Sequence, residues 1–166
     1  AIGGGIELTP GVVARELGHA HIVATASPAF MQGKAMPAHP SELAQFDGVV
    51  RRSAGSGRLR SWILRDGQGG EGVAESRPRA IFDDPEAMAQ AAILGVGVAL
   101  LPMPHALAHL RSGALIRLLP GWHADSGPLS VYYPSKKLLP AKTRVFVDFL
   151  LEQFRQRDFA AQVRPD

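Results

Sequence analysis

The stretch DDPEAMAQAAILGVGVALLP, residues 83–102, constrains the fold more than any other part of the sequence. Asp84 is suited to cap a helix through its carboxylate, and Pro85 fits the first helical position because it has no N–H to lose. Gly95 marks the end of that helix, since glycine readily adopts the left-handed conformation found there. Residues 96–101 are short, β-branched and apolar, which is typical of a strand covered on both faces in a parallel sheet. The stretch therefore predicts a helix that leads directly into a buried strand.

Segments of strand and helix character alternate along the remaining sequence, which predicts an α/β protein with a largely parallel sheet. The predicted strands are residues 20–26, 49–50, 61–64, 72–82, 96–101, 115–119 and 129–133. The predicted helices are residues 29–31, 42–46, 85–94, 104–110 and 142–155. The last helix carries the strongest amphipathic pattern, with five apolar side chains assigned to one face: Val145, Phe146, Phe149, Leu150 and Phe154.

The composition excludes several classes of protein. The absence of cysteine in the 166 residues excludes disulfides, thiol catalysis and cysteine-ligated metals. The longest apolar stretch, residues 91–104, is too short to span a membrane, so we expect a soluble protein without a membrane partner. The formal charge is only +3 and the basic residues are dispersed apart from residues 51–65, so composition does not indicate nucleic-acid binding.

Two glycine- and serine-containing motifs resemble known sites only formally. Gly67, Gly69 and Gly72 have the spacing of a dinucleotide fingerprint, but strand-like rather than helical sequence follows them, which favours a hairpin turn. Ser53 and Ser56 lie in SAGSG, which lacks the first glycine of a nucleophile elbow. The sequence therefore indicates neither a nucleotide cofactor nor serine catalysis, and we expect no cofactor and no enzymatic activity.

The histidines form two pairs whose spacing would allow metal binding. His105 and His109 are four residues apart on a predicted helix, and His19 and His21 are two apart on a predicted strand. No acidic third ligand lies next to either pair, so we expect solvated or capping histidines and no metal site.

The basic segment after residue 50 could meet an anion. Arg51, Arg52 and Ser53 directly follow a short strand, and open α/β sheets bind ligands beyond their strand ends. For the other arginines of the segment, a solvated face fits the sequence at least as well as contact with an anion: Arg58, Arg60 and Arg65. Trp62 and Trp122 are expected to pack in the core or at a hinge and not to form a ligand platform.

Five segments, in order along the chain, resemble the effector-binding region of a LysR-type transcriptional regulator. They are ATASPAFM at 24–31, HPSELAQFDGVV at 39–50, DDPEAMAQAAILGVGVALLP at 83–102, SGALIRLLPGW at 112–122 and VYYPSKKLLPAKTRVFVDFLLEQF at 131–154. The resemblance implies a fold like the type 2 periplasmic binding proteins, with two lobes built on Rossmann-like sheets and a small-molecule effector between them. Here mainly the second lobe and the C-terminal helix are expected.

The resemblance also implies a domain division and partners. Residues 1–10 match the end of the first lobe and the cross-over, residues 11–134 the second lobe, and residues 135–166 the C-terminal helix returning to the first lobe. The DNA-binding winged helix-turn-helix of the family and most of the first lobe have no counterpart in this sequence. DNA would therefore be bound only through that absent N-terminal domain, in a cytoplasmic homo-oligomer that is usually a tetramer at full length.

Candidate effector-binding residues are carried over from the family by position. Gly3 and Gly4 match the cross-over, although many relatives have an arginine at the position of Gly3. Asp84 and Gly97 match the helix start and the strand start that face the cleft, and packing explains these two residues equally well. The remaining contacts follow the second strand of the second lobe: Val50, Arg51, Arg52 and Ser53.

Three functions are weighed against each other. The leading hypothesis is a ligand-sensing module in which effector binding changes the angle between lobes and so controls DNA binding. The alternative is a periplasmic solute-binding protein of similar architecture. A third, an α/β enzyme, lacks a convincing catalytic set. The arginines after residue 50 favour an anionic effector such as a small carboxylate.

Overall fold

A computed structural model describes residues 1–4, 10–53, 56–134 and 140–156 of the chain. The strands are β1 (Ile2–Gly4), β2 (Val12–Ala26), β3 (Asp47–Arg51), β4 (Trp62–Arg65), β5 (Glu71–Ala74), β6 (Arg77–Phe82), β7 (Val98–Pro102), β8 (Ile116–Arg117) and β9 (Ala124–Pro134). The helices are α1 (Pro28–Met31), α2 (Pro85–Ile93), α3 (Met103–Ser112) and α4 (Ala141–Gln156), with a 3-10 helix at Pro40–Gln45. The α/β prediction is confirmed.

The chain forms two compact units. The terminal unit comprises the described residues of 1–20 and 125–164, and the central unit those of 21–124. Both boundaries fall inside long strands, β2 and β9, and both lie within the segment that the resemblance assigned to the second lobe. The reason is packing: Leu17 of β2 and Val131 of β9 are buried against α4 and not in the core of the central unit. The assignment of lobes stays a prediction.

The sheet of the central unit is mixed and not largely parallel. β3 lies between β6 and β7 and is parallel to both, so this part of the sheet has the predicted parallel pairing. β2 is antiparallel to β7 and to β8. In the parallel part, Arg51 at the end of β3 pairs with Phe82 at the end of β6, so the carboxyl ends of these strands meet at one edge.

The helix and the strand predicted at residues 83–102 are confirmed. The Asp84 carboxylate accepts hydrogen bonds from the backbone amides of Glu86 and Ala87, each at 3.2 Å, which satisfies two amides that the first turn leaves without a helical partner. Gly95 takes φ +79° at the helix end. A Cβ on Gly97 would lie only 2.7 Å from the carbonyl carbon of Asp47, so glycine is what allows β7 to approach β3 this closely.

One predicted strand is two strands in the structure. Residues 72–82 contain the end of β5 and all of β6, and the chain changes its partner between them. β5 pairs antiparallel with β4 in a separate hairpin, whereas β6 joins β3 in the main sheet. Which strand pairs with which depends on residues distant in sequence, so a local hydrophobic pattern does not predict the change of partner.

Two further predictions change in detail. The helix predicted at 42–46 is the 3-10 helix, and its cap is His39, whose ring nitrogen accepts from the amide of Ser41 at 3.3 Å. The strand predicted at 115–119 shortens to β8, and Leu119 takes φ 53°, in the left-handed region, which ends the extended conformation.

In the terminal unit, β9 lies between β1 and β2, and α4 packs against these strands. The helix is confirmed, but its predicted single apolar face is wrong. Leu150 and Phe154 pack with the buried Val147 and Leu151. The other members of the predicted face point outward, with exposed fractions of 57–68%: Val145, Phe146 and Phe149. The apolar residues cover too much of the helix circumference for one sheet to bury them all.

Replacing the helix cap tests how α2 begins. We expect Asp84→Ala to lower the free energy of unfolding by about 1 kcal/mol, because two amides lose their acceptor. Asp84→Asn should recover most of the loss, since its side-chain oxygen still accepts. Urea denaturation measures both, with Asp83→Ala as a control that should change stability little. An equal loss in the control would contradict the capping role.

The close approach at Gly97 predicts a larger effect. We expect Gly97→Ala to destabilise the domain by about 1–3 kcal/mol, because the backbone of β3 or β7 must shift to admit the methyl group. Gly67→Ala is the matched control, since a Cβ there meets nothing within 4 Å. Thermal unfolding of the two variants side by side would refute the packing role if they unfolded at the same temperature.

Candidate functional site

A cavity of about 250 Å³ lies in the central unit, between the β4–β5 hairpin and the main sheet. Its apolar lining includes Val50 of β3, Leu100 of β7 and Met88 of α2, with Trp62 and Ala74 from the hairpin. Polar groups border this lining: Arg51, Arg60, Ser61, Glu75 and Ser76. A concave, mainly apolar surface with a few polar groups is the usual form of a small-molecule site.

Backbone hydrogen bonds fold the chain back over β3 and so create the cavity. After β3 the amide of Ser53 donates to the carbonyl of Arg58, and the amide of Arg60 donates to the carbonyl of Arg51, both at 2.8 Å. The chain therefore reverses within the basic segment and delivers β4 beside the end of β3.

Alternation along the hairpin determines which side chains line the cavity. Trp62 pairs with Ala74 across the two strands, and both line the cavity. The next pair, Ile63 and Val73, is about half exposed, because successive residues of a strand point to opposite faces. The glycines at 67 and 69 lie in the turn that joins β4 to β5, as predicted.

The charged groups of the cavity differ from those around it in how they are paired. The Arg60 guanidinium lies 4.5 Å from the centre of the Trp62 ring, a distance at which the ring face attracts a cation. Arg51 is half-buried. Within the described ranges, the side chains of Arg51 and Glu75 form neither an ion pair nor a hydrogen bond. By contrast, Arg65 pairs with Glu71 at 2.6 Å on the outside of the hairpin.

The structure brings two of the predicted effector contacts to the cavity, Val50 and Arg51. Arg52 is exposed, and its guanidinium donates to the carbonyl of Gly57 at 2.9 Å, so its observed role is to hold the turn. Ser53 takes part in the same turn through its backbone. Neither Arg52 nor Ser53 lines the cavity.

The other predicted contacts lie elsewhere. Asp84 follows β6 at the same edge of the sheet as Arg51 but is engaged in capping α2. Gly97 precedes β7 and lies at the opposite end of the parallel strands. Gly3 and Gly4 belong to β1 of the terminal unit, where they pair with β9. None of these four lines the cavity, and their effector roles stay predictions.

Sequence reasoning missed several residues that line the cavity. For Arg60 a solvated face was favoured at least equally, and Trp62 was expected at the core or a hinge, yet both line the cavity. Their spacing was the available signal, because residues two apart in a strand share a face. Glu75 and Ser76 had no comparable signal, since they lie where the chain changes partner from β4 to β3.

The histidine pairs do not converge on shared sites. His105 lies 3.6 Å from the carboxylate of Glu86 on α2, and His19 contacts Asp125 at 3.4 Å. His21 stacks edge-on with His123, with ring centres 5.1 Å apart. In the described part of the chain no cluster of three or more histidine and acidic side chains is arranged to hold a metal ion.

No helix in the described ranges has both the length and the apolar character that crossing a bilayer requires.

The sequence profile of the LysR substrate binding domain matches residues 1–155, nearly the whole chain. The chain belongs to the LysR substrate-binding domain family. An HTH-type transcriptional repressor of Pseudomonas aeruginosa is 31% identical over 165 residues, which cover 93% of this LysR domain and 49% of the repressor. The HTH-type regulator PtxR of the same species is 28% identical over 82% of this chain and 43% of its own length. The chain thus spans about half the length of the curated relatives it matches.

Solved structures of LysR regulators show the same fold. The regulatory domain of AphB from Vibrio vulnificus superposes with a TM-score of 0.73 at 25% identity, over 91% of this chain and 73% of that domain. CrgA of Neisseria meningitidis, a LysR-type transcriptional regulator, superposes with a TM-score of 0.76 at 26% identity, over 92% of this chain and 51% of CrgA. The fold predicted from the resemblance is confirmed.

The neighbours of the Glu86 carboxylate on α2 shift its pKa, and this shift can be measured. A hydrogen bond from Gln90 lowers the pKa of Glu86 below its ordinary value, and the neighbouring His105 lowers it further. The folded domain therefore holds this carboxylate ionised, and the associated stability is present above the ordinary pKa of glutamate and is lost as the pH falls through the lowered value. We expect NMR titration to show a rise in the Glu86 pKa in Gln90→Ala. An unchanged pKa in that variant would contradict the assigned cause.

Proposed function

We propose that this LysR domain is the effector-sensing part of a bacterial transcriptional regulator. A small molecule binds it and thereby controls DNA binding by a helix-turn-helix domain elsewhere in the polypeptide. The observation that carries the proposal is an apolar cavity, bordered by charged side chains that lack partners in the described ranges, in a chain that matches LysR regulatory domains.

The division of the parent protein follows from the relatives. They carry HTH in their names and are about twice as long as this chain, which supports a separate DNA-binding domain. We keep the proposal that residues 1–10 and 135–166 belong with a first lobe and residues 11–134 with a second. The outward face of α4 supports it, because three large apolar side chains exposed side by side are expected to be covered in a complete domain: Val145, Phe146 and Phe149.

In this proposal, the chemistry of the cavity determines how an effector acts. Arg51 offers a charge-assisted hydrogen bond to a carboxylate, and the apolar lining offers contacts to the rest of a small ligand. An effector regulates only if it binds one arrangement of the regulator more tightly than the other, and couplings of about 1–3 kcal/mol are usual. A small anionic effector whose carboxylate meets Arg51 fits these requirements.

The remaining assignments are also proposals. The full-length protein would act in the cytoplasm as a homo-oligomer, a tetramer, and would contact DNA only through its helix-turn-helix domain. A non-enzymatic role is supported by the cavity lining, in which Ser61 and Ser76 lie without a histidine to act as a base among the described lining residues. The relatives named above are regulators, which favours a sensor over a periplasmic solute-binding protein.

Operator binding by the full-length regulator tests the function. In the presence of a library of small carboxylates, we expect at least one to change operator affinity, and Arg51→Ala to weaken that response about tenfold or more, because the carboxylate loses its charged donor. Fluorescence anisotropy with labelled operator DNA measures the response.

Arg58→Ala is the matched control, since Arg58 is exposed in the same segment and does not line the cavity. It should respond like the parent protein. If the Arg51→Ala variant responded like the parent protein, the cavity would not be the effector site. If no carboxylate changed operator binding, the result would count against an anionic effector.

A further inference from the structure

We propose that the cavity selects a ligand that carries both a carboxylate and an ammonium group on a short apolar body, and that Glu75 binds the ammonium group. This inference rests on the proposed function, in which the cavity is the effector site. It is independent of which genes the regulator controls.

The two kinds of charge lie at opposite ends of the cavity. Arg51 is the last residue of β3, whereas Glu75 and Ser76 directly precede β6, whose first residue pairs with Asp47 at the start of β3. The four residue steps of β3 correspond to about 13 Å. Arg51 and Glu75 both line the cavity, so a ligand that contacts both must place its two charges within about this distance.

Neither end charge has an ion-pair partner within the described part of the protein; Arg51 is half-buried and Glu75 is exposed. Other arginines close by have acidic partners: Arg65 pairs with Glu71 at 2.6 Å and Arg77 with Asp47 at 3.3 Å. The side chains of Arg51 and Glu75 have no such partner among the described residues. A ligand with one charge of each sign would complement both ends at once.

The fold also provides space for a polar group at the acidic end. The side chain of Ser76 occupies the position that a Cβ on Gly48 would take, so glycine at this position of β3 makes room for the serine. Ser76 lines the cavity next to Glu75. A carboxylate and a hydroxyl together are acceptors suited to an ammonium group.

Between the two ends the lining is mostly apolar, with Arg60 and Ser61 as its polar members. Val50, Leu100 and Met88 lie on the sheet and helix side, and Trp62 lies on the hairpin side with Arg60 against its ring. A volume of about 250 Å³ is smaller than the usual range for drug-sized ligands, so the apolar body must be short.

Three small probes isolate the contribution of each end. We would titrate the chain with 4-(aminomethyl)benzoate, 4-methylbenzoate and benzylamine by calorimetry. The chain has two tryptophans, so Trp122→Phe leaves Trp62 as the fluorophore that reports whether binding occurs in the cavity. The first probe should bind roughly two- to fivefold more tightly than 4-methylbenzoate, as expected of one solvent-accessible charge pair.

Variants at two glutamates assign the preference. Glu75→Gln should abolish the advantage of 4-(aminomethyl)benzoate over 4-methylbenzoate while the affinity for 4-methylbenzoate stays the same. Glu71→Gln is the control, because Glu71 lies on the same hairpin but is paired with Arg65 outside the cavity. It should retain the preference.

The outcomes separate this inference from the proposed function. Equal binding of both benzoates, still sensitive to Arg51→Ala, would overturn the ligand class and leave the effector site standing. A preference that persists in Glu75→Gln would overturn the role of Glu75. No binding of any probe overturns the inference, and failure of the carboxylate library in the operator assay as well would remove the support for an anionic effector.

Discussion

The parallel pairing of β3 with β6 and β7 is the constraint on which the rest of the central unit depends. Parallel neighbours cannot be joined by a tight turn, so the chain must leave the sheet between each pair. The first excursion is the β4–β5 hairpin, and the second is α2. The pairing that builds the sheet therefore also supplies the wall of the cavity and the capped helix beside it.

The cavity depends on where backbone pairing and buried side chains hold this hairpin beside the sheet. One backbone hydrogen bond joins Arg60 to Arg51, and the alternation of the hairpin turns Trp62 inward while its neighbours stay exposed. Arg60 is held against the Trp62 ring. A half-buried charge without a partner, such as that of Arg51, costs stability beside an apolar wall, but it gives a ligand of opposite charge a group to bind.

The elements that could be predicted were those with local signals. The Asp84 cap, Pro85 and Gly95 mark α2 within a few residues of sequence, and β7 has the apolar run of a covered strand. The place of Arg51 at a strand end followed from the same local reasoning. The sequence did not predict that residues 72–82 form two strands with different partner strands, because strand pairing depends on residues far along the chain. The outward face of α4 was missed for a similar reason: periodicity reports how wide the apolar arc is, but not which part of it meets the sheet.

The sequence by itself determined the family, the α/β class, the helix and strand of residues 83–102, and the presence of Val50 and Arg51 at a candidate site. These depend on backbone propensity and on motifs in order along the chain. Only the tertiary structure decided that β2 runs antiparallel to β7, that Arg52 holds a turn, and that Arg60 and Glu75 reach the cavity. Those outcomes depend on which distant segments pair and on which charges find partners, and such interactions exist only after the chain has folded.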